Sequence, residues 1–138
     1  MEAKIVRLEK MLVIGMQTFG GNAADFPKMW DLLSDVVENI PNRVDEKVVY
    51  GIETYTKDIP NIKHWFYMAG VEVESIDNLD VSLSAKLIPA NDYACFEYRG
   101  AISEKLGEYF QKIYHEWLPS SGLRWLLPMA WKDTTNVF

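Results

Sequence analysis

Residues 87–122 read LIPANDYACFEYRGAISEKLGEYFQKIYHEWLPSSG and hold a strand, a break and a helix in one run. Leu83 to Ile88 suits a half-buried strand. Pro89 has no amide hydrogen for a ladder, so the strand bends or bulges there and resumes, past Asn91-Asp92, from Tyr93 to Arg99. Ile102, Leu106, Tyr109, Phe110, Ile113, Tyr114 and Trp117 then recur at spacings of three and four. That spacing predicts an amphipathic helix. Ser103 is placed to cap it, and Leu118-Pro119 with Ser120-Ser121-Gly122 to close it.

The same grammar appears earlier in the chain. Phe26, Met29, Trp30, Leu33, Val36, Val37 and Ile40 form a second apolar stripe, with Asp25 as N-cap, Pro27 in the opening turn and Pro41 ending the run. Ile5 to Met16 reads as a long or bent strand ending at Gly20-Gly21, and Phe19 falls in the glycine-containing loop that follows. Val48 to Tyr55 and His64 to Val73 read as strands joined by a hairpin connection over Thr56 to Ile62. Leu123 to Trp131 is the last apolar stretch. The order is strand, helix, strand, strand, then strand, helix, strand. This predicts an α+β fold with an approximate repeat, half-modules at about 1–80 and 81–138 in a single domain spanning 1–138. The second half is one strand short. Two such halves can pair edge to edge and leave a cleft where ligands bind.

Composition narrows the function. At 49% hydrophobic and 25% charged over 138 residues, the chain supports one packed core. The net charge of -6 disfavours nucleic acid and anionic membrane surfaces as partners. No apolar run nears the ~20 residues that cross a bilayer, and the first residues lack the apolar core of a signal peptide, so a cytoplasmic protein is expected. Cys95 is the only cysteine, and His64 and His115 form no catalytic or zinc spacing with it. There is no Walker loop and no GxGxxG, so neither a metal nor a cofactor is expected. Aromatics reach 13%, which favours walls for a planar or cationic guest as well as core filling.

At this point the residues resemble a family. The LIPANDYACFEYRG strand, the aromatic helix stripe, the WLPSSG exit and, in the first half, VIGM, Met29-Trp30 and FYMAGVEV resemble the GyrI-like proteins, the effector-binding domains of AraC-type and MerR-type multidrug regulators. The resemblance covers about residues 3 to 122. It implies duplicated βαββ modules, an antiparallel sheet with two long helices and a pseudo-twofold cleft that binds hydrophobic, often cationic compounds. With the first strand near Lys4, no helix-turn-helix is expected before it, so the expectation is a stand-alone binding module. The chain departs from the family after WLPSSG. Its tail, LRWLLPMAWKDTTNVF, lacks the family's strand glutamate, and Asp133 does not inherit that role.

Two carboxylates are candidates for that missing anion. Glu53, in VVYGIETY, faces either the cleft or solvent by alternation; Glu97, in the FE..G match, points inward or lies at the rim. Phe19, Trp30, Trp65, Tyr67, Tyr93, Tyr109, Trp117 and Trp125 are the ligand-binding ring candidates. The expected function is binding of a hydrophobic, cationic small molecule. Two other classes follow from the resemblance. One is hydrolysis of a strained electrophile, with Glu53 or Glu97 activating water. The other is a protein partner such as a topoisomerase or a regulator. The missing strand leaves a sheet edge open, which predicts a homodimer.

Overall fold

A computed structural model describes residues 2–20, 25–55, 65–100, 104–123 and 129–133. Within these the elements run β1 (Lys4–Leu8), β2 (Met11–Gly20), α1 (Phe26–Val36), β3 (Val49–Tyr55), β4 (Trp65–Val73), β5 (Ser84–Ile88), β6 (Asn91–Cys95), α2 (Glu104–Lys112), α3 (Leu118–Ser121) and β7 (Met129–Asp133). The expected α+β class, with antiparallel sheets and two main helices, is what forms. The chain packs as two compact units, Met1–Glu9 with Ala90–Leu126 and Lys10–Pro89 with Leu127–Phe138. Each is built from two pieces of chain, because strand pairing rather than chain order decides what packs together.

The larger unit is an antiparallel sheet in the order β5-β2-β4-β3-β7. Its registers put Leu12, Ile14, Met16, Tyr67, Ala69, Val71 and Val73 on one face. Helix α1 covers that face. Met29 and Leu33 of the helix, with Val37 and Ile40 just beyond it, are buried with Ile14, Val49, Tyr67, Ala69, Val71 and Val73. The other face buries Val13, Tyr50, Ile52, Met68 and Ile88.

Gly15 and Gly70 stand opposite each other on that second face. A Cβ on Gly15 would run into the Ala69 carbonyl oxygen, and one on Gly70 would lie 2.6 Å from the Ile14 oxygen. Bare backbone at this pair lets the sheet curl. The curl is visible in one bond: Lys86 on β5 reaches Thr54 Oγ1 on β3 at 2.7 Å, three strands away. In a flat sheet those strands would be about 14 Å apart.

The smaller unit pairs β1 with β6 and carries α2 and α3. None of its described residues is fully buried. Its ladder runs from Lys4 opposite Cys95 to Leu8 opposite Asn91.

Several expectations are corrected. The first strand is two strands, and the second runs on to Gly20 because β4 supplies partners as far as Trp65, so Phe19 is a strand residue rather than a loop residue. The strand after Pro89 spans Asn91–Cys95 instead of Tyr93 to Arg99, because its partner β1 runs out at Lys4. Pro119 does not end the second helix. A π turn over Ile113–Trp117 hands on to α3, where proline falls in the first turn and its missing amide costs nothing. Gly122, at φ 73°, closes it, as the Ser120-Ser121-Gly122 run leads one to expect. The last apolar stretch yields β7, antiparallel to β3. Ile102, Ser103, the hairpin connection and Trp125 lie outside the described residues.

Candidate functional site

Glu53 lies on the helix-covered face. Its register partner on β4 is Tyr67, so the two side chains leave the sheet on the same side. From α1, Trp30 Nε1 donates to the Tyr67 hydroxyl at 2.7 Å, and Phe26 stacks on the Tyr67 ring with centroids 3.8 Å apart and planes 13° off parallel. Tyr67 itself is 1% exposed, while Phe26, Trp30 and Glu53 are half-buried.

The local sequence explains the placement. Phe26 and Trp30 are four apart on α1 and project toward the sheet from successive turns. Glu53 is two residues beyond Gly51 on β3, and Gly51 is buried. Burial raises the Tyr67 phenol's pKa; the hydrogen bond from Trp30 opposes that, and the negative charge of Glu53 adds to it. Three rings and a carboxylate therefore share one end of the covered face. Such a group can receive an organic cation, with the carboxylate supplying charge, the half-buried Trp30 and Phe26 an electron-rich surface, and the buried Tyr67 holding them in place. Among the described residues no cluster of His, Cys, Asp and Glu could hold a metal ion.

The other candidates fall elsewhere. Phe19 projects from the opposite face, 54% exposed, against Phe66 at 4.7 Å. Trp65 begins β4 opposite Gly20 and Tyr55. Tyr93, Glu97, Tyr109 and Trp117 all belong to the smaller unit. There Tyr109 donates its hydroxyl to the Glu97 carbonyl oxygen at 3.0 Å, and Trp117 meets the Phe96 ring edge-on at 4.9 Å. The Glu97 carboxylate is 73% exposed and held by Arg99 at 2.9 Å, a rim position. Tyr93 is half-buried, which raises its pKa against the pull of Arg7.

Three residues escaped the sequence reading, one in this group and two on the opposite face. Phe26 was visible in the helix stripe but gave no sign of stacking on Tyr67. Lys86 and Thr54 were invisible as a pair, since 32 residues and three strands separate them.

Comparison with known proteins agrees with this fold. A family described as integron-associated effector-binding proteins, Cass2, matches residues 4–126. The chain is 31% identical over 124 residues to the transcriptional regulator BrlR of Pseudomonas aeruginosa. That match covers 89% of this chain and 44% of BrlR, so the chain spans less than half of that relative. Among solved structures it is similar to SAV2435 bound to tetraphenylphosphonium, with a TM-score of 0.74 at 14% identity over 93% of this chain and 80% of that one. A bacterial transcription regulation protein of Staphylococcus aureus MU50 superposes with a TM-score of 0.70 at 15% identity, covering 94% and 84%. The integron cassette protein VCH_CASS2 of Vibrio cholerae gives 0.58 at 16% identity, covering 84% and 78%. At these identities the structural likeness speaks for the fold, which is the GyrI-like one the sequence resembled.

Proposed function

The chain belongs to the Cass2 family of integron-associated effector-binding proteins, and on that premise we propose that it takes up hydrophobic, aromatic organic cations at the Glu53 end of its helix-covered sheet face. One observation carries the reading. A half-buried carboxylate, Glu53, shares its face with Tyr67, Trp30 and Phe26, which are locked to one another by a hydrogen bond and a ring stack. Each ring over a desolvated cation contributes about 0.5–2 kcal/mol. A pre-formed wall also spares the ligand the entropy of ordering it. The tetraphenylphosphonium held by SAV2435 is a hydrophobic cation of the kind such a wall suits. The regulator BrlR, of which this chain matches a part, supports a sensing role over a metabolic one.

Tryptophan fluorescence tests this directly, because Trp30 lies in the site. Titration with tetraphenylphosphonium quenches emission saturably, and Glu53→Gln weakens that binding about tenfold, or 1.4 kcal/mol. The neutral triphenylphosphine oxide binds the two proteins alike. Equal affinity of wild type for the cation and its neutral analogue, with no effect of Glu53→Gln, would remove the carboxylate from the account.

A further inference from the structure

The second face of the larger sheet holds a charged group that the cation reading does not use. Lys86 lies on β5, and its side chain folds inward over the curled face. Its Nζ donates to Thr54 Oγ1 at 2.7 Å and stands 5.4 Å from the centre of the Phe66 ring. Phe66 packs on Phe19, whose exposed ring forms the outer lip of this apolar patch.

No carboxylate among the described residues lies within ion-pair distance of this amine. By strand register the other ionisable groups on its face are Glu72, in the same row but two strands away, Tyr50, and Lys132 opposite Tyr50 on the edge strand β7. Burial pushes the Lys86 pKa down, with no charge contributing. The chain carries 20 acidic residues against 14 basic ones, so acids to neutralise a buried lysine are plentiful. Half-burying an amine beside a hydroxyl and a phenyl ring instead offsets its desolvation only in part, through one hydrogen bond and the ring face, and the net downward shift enlarges the neutral, nucleophilic fraction. Lysines prepared this way form imines with carbonyl compounds.

We infer that Lys86 is a carbonyl-capturing amine that takes hydrophobic aldehydes as an imine, with Phe66 and Phe19 as the apolar wall and Thr54 as proton carrier. The nitrogen lone pair forms the bond to the carbonyl carbon while the C=O π pair moves onto oxygen. One N–H proton passes to that oxygen, with the Thr54 hydroxyl at 2.7 Å placed to relay it. The second N–H proton follows, the C–O bond breaks, water leaves and the C=N bond remains. Both nitrogen protons end on the water, and no oxidant or reductant is consumed.

Benzaldehyde with sodium cyanoborohydride tests the inference on the intact chain. The borohydride delivers hydride to the imine carbon and fixes each adduct as a secondary amine, which peptide mass spectrometry then locates. Lys105 and Lys112, exposed on α2, are internal references. Lys86 is modified severalfold faster than either. Replacing benzaldehyde by the polar glyoxylate removes that advantage, and Thr54→Val slows Lys86 while leaving the references unchanged. Labelling of Lys86 no faster than the references overturns the inference, and so does a Lys86 rate indifferent to both changes. The wild-type measurement needs no variant, so a misfolded mutant cannot decide the matter.

Discussion

The two faces of the five-stranded sheet differ by a single step along each strand. Glu53 and Tyr67 leave one side; their neighbours Thr54 and Phe66 leave the other. The first side is roofed by a separate element, α1, and places an acid beside a phenol and an indole. The second has the bare backbone of Gly15 and Gly70 and places an amine beside a hydroxyl and a phenyl ring. The β3–β4 pair thus has its own acid on one side and, reaching in from β5, an amine on the other, each against an aromatic. Alternation alone sorts them. What differs is the cover, since a separate helix packs over the first side.

Disrupting the roof tests that distinction most severely. Leu33 is fully buried on α1, and Leu33→Ala costs about 2–5 kcal/mol in urea unfolding. A loss well under 1 kcal/mol would mean the helix is not what closes the first side. Trp30→Phe keeps a ring but deletes the donor to Tyr67, and the loss falls to about 1 kcal/mol in the same assay. The smallest effect comes from the second side. Burial first, then Glu72 and Asp45, pushes the Tyr50 phenol up to about 12. The folded chain therefore holds a proton that the unfolded chain releases near pH 10. Stability present below that pH is lost on the way to about 12. Tyr50→Phe flattens this alkaline decline and leaves the slope of stability with pH near neutrality as it was, as urea midpoints across the range will show.

Much of the architecture could be read in advance where periodicity is strong. The stripe from Phe26 to Ile40 gave α1, and Pro89 marked the interruption between β5 and β6. The readings that failed depended on partners. Whether residues 96–99 continue a strand depends on where β1 stops, and whether Pro119 breaks a helix depends on the π turn before it. Alternation told us that Glu53 opposes Ile52 and Thr54 but not which side the helix would cover. Phe19 looked like a loop residue because glycines follow it, although its strand partner Phe66, 47 positions later, orders it. Lys86 was beyond reach, since its contact arises from curvature, a property of the whole sheet rather than of any segment.

The dryness of the larger sheet has a consequence for how it finds its alignment. A one-residue slip in β5 against β2 would carry Lys86 and Ile88 through to the wrong side. Ile88 would leave its buried place, so a slipped ladder declares itself as exposed apolar surface. The β1–β6 ribbon, which hides no side chain completely, has no such check of its own.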